Sequence, residues 1–326
     1  MNPPTLPNRQ DVLTARERIR DRVHRTPVMT STSMDALLGC KAFFKFEHLQ
    51  RTGSFKFRGA SHAVGLLEPD CPGVATHSSG NHGAALAAAA GARGIPAHVV
   101  MPTGAAAVKR AAVEHYGGIV HTCQPTQRAR EEGLQELLDT GMEGIPPYDD
   151  ERIIAGQGTV ALELLEQVPD LEMILAPVGG GGLISGIALA VDGRIPVVGA
   201  EPSGADDTAR SLAAGHRVED HNPVTVADGL RALVGLRNLA IISRRVDGVV
   251  TTSEAAIGQA MEWLWTRTKQ LVEPSGAVPV AAILEHPERF AGRKIGVVLS
   301  GGNMDFNPSL PERPRPEFSK PWQPIT

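Results

Sequence analysis

One lysine stands between two phenylalanines in Thr52-Gly53-Ser54-Phe55-Lys56-Phe57-Arg58-Gly59-Ala60, at a Gly/Ser-led helix start. Helix N-termini and apolar walls both lower an amine's pKa. An amine that loses its proton near neutrality can form a Schiff base with an aldehyde. A plain surface lysine on an amphipathic helix gives the same short pattern, so Lys56 takes its meaning from the segments around it. The second segment is Gly179-Gly180-Gly181-Gly182, between the apolar run Met173–Val178 and the helical stretch Leu183–Val191. Four glycines at a strand-to-helix turn bare backbone N–H groups toward one concavity, and the helix dipole adds positive potential, which suits a phosphate. GGGGLISG does not fit the dinucleotide pattern G-x-G-x-x-G in any register, and no Gly-Lys-Ser/Thr follows.

Two further segments offer polar groups at strand ends. Thr76-His77-Ser78-Ser79-Gly80-Asn81-His82-Gly83 places hydroxyls, an amide and imidazoles ahead of helix N–H groups, an arrangement that can hold a carboxylate. A cap alone needs one such residue. Ser300-Gly301-Gly302-Asn303 follows the apolar run Ile295–Leu299 and sets a hydroxyl beside two glycines.

These segments need a scaffold. Short apolar runs alternate with helical spacing: strands at Lys41–Glu47, Gly73–Thr76, Pro96–Met101, Gly118–Thr122, Met173–Val178, Pro196–Ala200, Val249–Thr251 and Ile295–Leu299. Helices are expected over Phe55–Leu67, Asn81–Ala92, Ala105–Tyr116, Arg128–Leu138, Gly158–Gln167, Gly182–Val191 and Glu254–Thr268. Continuous apolar strands between helices predict an α/β fold with mostly parallel sheets covered on both faces. Ligands in such sheets bind beyond the carboxyl ends of the strands, where the glycine clusters fall. The Pro-rich residues 1–9 and 306–326 are expected to lie loosely on the surface.

Composition removes other classes. The 326 residues carry 32 basic against 36 acidic side chains, and aromatics make up 4%. That leaves neither the basic footprint nor the stacking platform of a nucleic-acid binder. No apolar run approaches a bilayer span, so no membrane partner is expected. The start MNPPTLPNRQ lacks the pattern of a signal peptide, and Cys40, Cys71 and Cys123 form no metal or disulfide spacing. A cytoplasmic location is expected.

SFKFRGA, SSGNHG, the four-glycine loop and SGGN occur in this order over about residues 10 to 305. Together they resemble the fold-type II pyridoxal-phosphate enzymes, most closely the serine/threonine dehydratase and serine racemase branch. The resemblance implies two open twisted sheets flanked by helices: a large cofactor domain from residues 1–72 and 150–326, and a small domain from 73–149. It implies that Lys56 carries pyridoxal 5′-phosphate covalently and serves as the base at the substrate Cα. Phe55 would pack near the ring, Asn81 bond its 3-hydroxyl, Gly179, Gly180, Gly181 and Gly182 cradle the phosphate, and Ser300 meet the pyridine nitrogen. Ser78, Ser79, Asn81 and His82 would grip the substrate carboxylate, with Ser79 on the face opposite Lys56. Arg130 would meet a second acidic group. Glu201, the Ala205 carbonyl and Asp207 resemble the family's site for Mg²⁺ or another divalent or monovalent cation. The implied reaction is β-elimination from L-threonine, L-serine or a similar β-hydroxy amino acid, with serine racemisation and 3-hydroxyaspartate dehydration as alternatives. A homodimer or larger homo-oligomer is implied. Ala232 and Leu233 stand where animal racemases carry serines, which argues against a dedicated racemase. Outside the family, a non-catalytic small-molecule-binding α/β protein would keep the glycine loop without needing Lys56.

Overall fold

The computed structural model describes residues 6–78 and 80–305. Ten strands form two sheets. They are β1 (Val28–Met29), β2 (Lys41–Phe46), β3 (Val74–His77), β4 (Ala97–Pro102), β5 (Ile119–Cys123), β6 (Glu143–Gly144), β7 (Met173–Pro177), β8 (Val197–Pro202), β9 (Val249–Thr252) and β10 (Lys294–Leu299). The larger sheet runs β1-β2-β10-β7-β8-β9 and the smaller β5-β4-β3-β6. All pairs are parallel except β1 with β2. The central strands β7 and β8 are buried at every position, as strands covered by helices on both faces must be. Their carboxyl ends lead into the glycine loop and into Glu201–Asp207, while β3 leads into the Ser78 segment and β10 into Ser300.

The structure departs from the sequence expectation in its helices. Residues 6–9 are not loose. Asn8 caps a helix over Arg9–Ile19, its side chain accepting from Gln10 N while Asp11 accepts from Asn8 N, each at 2.7 Å. Only Val12, Ala15 and Ile19 of that helix are buried, too weak an apolar stripe to read. The helix expected from Gly158 begins at Glu151, capped by Asp150. Pro274–Glu285 forms an unexpected helix, buried over most of its length and carrying Pro279 inside. The helix expected over Glu254–Thr268 ends its α-helical part at Trp263 and continues as a π turn over Leu264–Thr268. The terminal stretches 1–5 and 306–326 lie outside the described residues.

The helix Lys56–Gly65 is anchored by a buried ion network. Arg58 has no solvent exposure. Its guanidinium donates to both Glu47 oxygens at 2.8 Å and to both Glu163 oxygens at 2.6 and 2.9 Å. Lys45 Nζ donates to Glu163, the Thr26 carbonyl and Gln167 at 2.8–2.9 Å. Two cations thus face two carboxylates, joining β2, the Lys56 helix and the Glu151–Gln167 helix. Burial would raise the Glu163 carboxyl, yet Arg58 and Lys45 hold it below its ordinary value. Removing one member strands a buried charge. Arg58→Met should therefore destabilise the protein by about 3–5 kcal/mol, read as a lower urea midpoint.

Candidate active site

Lys56 lies in the first turn of its helix, and the chain just before it is tied to the SGGN segment. Ser54 pairs with Gly301, Phe55 N donates to the Ser300 carbonyl at 3.0 Å, and Gly302 N donates to the Gly53 carbonyl at 3.0 Å. Asn303 Nδ2 donates to the Thr52 carbonyl at 2.7 Å and to Asn81 Oδ1 at 3.0 Å. Thr52 sits at φ 62°, a conformation that costs a β-branched residue about 1–3 kcal/mol. The Asn303 bond helps hold it there. Asn81 Nδ2 in turn donates to Glu273 Oε1 at 2.7 Å, and Glu273 N donates to the Gly301 carbonyl at 3.0 Å. Three of the four sequence motifs are thereby brought into one hydrogen-bonded ring, closed by Glu273.

The fourth motif joins through Pro147 and Tyr148. Lys56 Nζ donates to the Pro147 carbonyl at 2.8 Å and sits 5.1 Å from the Phe55 ring centroid. The next residue, Tyr148, lays its ring on the glycine loop: a Cβ at Gly180 would fall 2.3 Å from it. Gly181 has φ +89° and opens the helix Gly182–Val191, so glycine is required there. The Gly180 carbonyl accepts from Asn238 Nδ2 at 2.7 Å and Gly235 N at 3.1 Å. The first N–H groups of that helix have no intrahelical partner. Small, rigid and set at a helix N-terminus, the loop fits a phosphate.

The electrostatics suit amine chemistry. Burial lowers the Lys56 amine to about 8, with the Glu273 charge pulling the other way. Burial lifts Glu273 to about 7, opposed by Lys109 and reinforced by Asp228. Lys109 Nζ lies 2.5 Å from Asp228 Oδ2 and 3.8 Å from Glu273 Oε2. Glu273, Lys109 and Tyr148 were not singled out by the sequence. A buried glutamate before a proline and a lysine on a helix face carry no local signal of a site.

The structure sorts the expected ligand-gripping residues. His82 is turned into the protein, 2.9 Å from the Ile145 carbonyl, and burial followed by the Lys56 charge lowers it to about 3. Its Nε2 braces the loop as part of a neutral ring, while Nδ1 is buried without a hydrogen-bond partner. Ser78 Oγ accepts from Gly80 N and Gly83 N, both at 3.1 Å, and so ties down the start of the helix Asn81–Gly91, whose N-cap is Gly80. Ser79 lies outside the described residues. Arg130 sits in the first turn of the helix Gln127–Leu138. Its charge acts on His77, which burial first and Arg130 second hold below the ordinary imidazole value.

Glu201 and Asp207 are both fully buried. Glu201 accepts from Thr208 N and Ala209 N, and burial raises it to about 8. Asp207 Oδ2 accepts from Val234 N at 2.8 Å, while Oδ1 has no hydrogen-bond partner and lies 3.5 Å from His221 Nδ1. Among the described residues, no ion pair reaches Glu201, and no group of three or more His, Cys, Asp or Glu forms a metal cage. Two buried carboxylates, one with an orphaned oxygen, suit a hard cation.

A lysine with a lowered pKa, joined through Pro147 and Tyr148 to a glycine-lined phosphate cradle at parallel-strand ends, defines an α/β enzyme built around an aldehyde-bearing phosphorylated cofactor. The chain belongs to the pyridoxal-phosphate dependent enzyme family, whose model matches residues 19–301. It is 46% identical over 310 residues to the beta-hydroxyaspartate dehydratase of Paracoccus denitrificans (strain Pd 1222), covering 93% of this chain and 98% of that one. It is 47% identical over 303 residues to the serine racemase of Arabidopsis thaliana, covering 90% and 92%. The solved threonine deaminase of T.th. superimposes with a TM-score of 0.89 at 46% identity, covering 93% of this chain and all of that one.

Only the neutral amine attacks an aldehyde, and its fraction falls about tenfold for each pH unit below its pKa. Capture of added pyridoxal phosphate by cofactor-free protein should therefore speed up about tenfold from pH 6 to pH 7 and level off above about 8. Stopped-flow absorbance reads this, and a rise continuing to pH 10 would show an unshifted amine. Gly180→Asp drives a side chain into Tyr148 and sets a negative charge in the cradle. Cofactor binding should weaken by about 1–3 kcal/mol, measured as cofactor content after dialysis.

Proposed function

We propose that the protein catalyses pyridoxal-phosphate-dependent β-elimination of water from a β-hydroxy amino acid such as L-threonine or L-serine, yielding a 2-oxo acid and ammonia. The observation that carries this reading is the lowered pKa of Lys56 beside the glycine cradle. When bound, the cofactor supplies the electron sink for the Cα carbanion and, through its phosphate, an acid for the departing hydroxyl. Lys56 takes the Cα proton. The freed electron pair becomes the Cα=Cβ bond as the Cβ–O bond breaks, and hydroxide leaves as water. The released enamine then hydrolyses. Asn81, fixed between Glu273 and Asn303, would orient the cofactor hydroxyl, and Ser300 would meet the ring nitrogen without forcing it to stay protonated.

A second reading, 3-hydroxyaspartate as the substrate, rests on Arg130. Its charge is among those that lower His77, at the end of β3. The Paracoccus relative dehydrates that compound by name. A cation held by Glu201, the Ala205 carbonyl and Asp207 belongs to the same proposal, as does Ser79 as the opposite-face acid of any racemisation.

The test is a panel of L-serine, L-threonine and 3-hydroxyaspartate, with oxo-acid release and D-enantiomer followed together. Arg130→Met should cost about 1.5–3 kcal/mol in kcat/KM for 3-hydroxyaspartate alone. Equal losses on all three substrates would remove Arg130 from substrate selection, and absence of oxo acid from every substrate would refute the elimination reading.

A further inference from the structure

Lys109 rises from the helix Ala107–His115 beside the smaller sheet and crosses to the larger one. Its side chain is only 6% exposed. The stem runs against the Ser78–Gly83 segment, since a Cβ at Gly80 would fall 2.3 Å from Lys109 Cδ. The amine then meets two carboxylates of unequal surroundings. Asp228 keeps 36% of its side-chain surface in water, and Glu273 keeps 3%. A hydrated carboxylate needs a counter-charge little, whereas a buried one needs it badly. Glu273 Oε1 accepts from Asn81, but Oε2 has no hydrogen-bond partner, and Lys109 Nζ is 3.8 Å from it.

The charged groups facing Glu273 are Lys56, Lys109 and Asp228. Asp228 repels it. Lys56 must be neutral to attack an aldehyde, so it cannot also serve as the standing counter-charge. That leaves Lys109. We infer that Lys109 is a positioning residue: it keeps Glu273 ionised and thereby fixes the orientation of the Asn81 amide. An ionised Glu273 can only accept, which forces Asn81 Nδ2 toward it and leaves Asn81 Oδ1 for Asn303. A protonated Glu273 can donate instead and releases that constraint. Because Lys109 belongs to the smaller sheet's side and Glu273 to the larger, the pairing also makes the site's electrostatics depend on the two being docked.

The inference rests on the pyridoxal-phosphate reading, and holoenzyme separates the two. The visible absorbance of bound cofactor and kcat/KM are followed against pH for wild type, Lys109→Met, Lys109→Arg, Glu273→Gln and the Lys109→Met/Glu273→Gln pair. Methionine keeps the stem that fills the space under Gly80. Losing the cation raises the Glu273 pKa, so its ionised form appears only at higher pH. The acid limb of both profiles should move up by about one pH unit or more in Lys109→Met and stay near wild type in Lys109→Arg. Within the Glu273→Gln background, Lys109→Met should cause no further shift. An unmoved limb in Lys109→Met, or an equal shift with Glu273 absent, overturns the inference. Protein that takes up no cofactor at all overturns the pyridoxal reading and the inference with it. Should Lys109→Met fail to fold, Lys109→Gln provides the same comparison.

Discussion

The buried fork of Arg58 between Glu47 and Glu163 is the constraint around which the site is arranged. A guanidinium without solvent contact is tolerable only if its donors meet acceptors of opposite charge, and here two carboxylates from separate elements supply them. Arg58 lies two residues beyond Lys56 on the same short helix. Fixing one therefore fixes the other, because a helix that cannot slide past Glu47 and Glu163 cannot withdraw Lys56. Strand β2 supplies Lys45 just before Glu47, and β10 pairs with β2 in register, Leu299 opposite Phe46. The anchor thus also fixes where β10 ends and where Ser300 begins.

With its helix held in place, the pKa of Lys56 becomes a matter of surroundings. Enclosure lowers the amine, and the nearby Glu273 partly restores it. Enclosure also lifts Glu273. Burial thus brings an amine and a carboxyl of one site nearer neutrality than either would be in water, as functional sites tend to do. His82, also close to Lys56, is held neutral by burial.

The motifs legible in the sequence were those where the backbone itself demands a residue type. Gly181 at positive φ, Gly180 under an aromatic ring and the Ser54–Gly301 pairing leave local marks. The alternation of strands and helices was legible for the same reason: burial on both faces writes continuous apolar runs at β7 and β8. What was not legible depends on distance along the chain. Asn81 meets Glu273 across 192 residues, and Lys109 meets Asp228 across 119. Neither residue type nor spacing encodes such a meeting. The meeting of His82 with the Ile145 carbonyl, 63 residues away, is equally silent in the sequence. The helix Pro274–Glu285 was missed because a helix apolar all round has no stripe to read.

The expected cation site and the glycine loop are braced by consecutive amides. Strands β7 and β8 are parallel neighbours, Pro177 opposite Ala200, so their carboxyl ends open side by side. Val234 N donates to Asp207 at the end of β8, and Gly235 N, the next amide, donates to the Gly180 carbonyl at the end of β7. The two amides belong to adjacent planar peptides hinged only at the Val234 Cα, so Asp207 and Gly180 are bonded to one short segment of backbone. Asp207 thus braces the glycine loop from behind, one strand away, through the segment that also bonds Gly180.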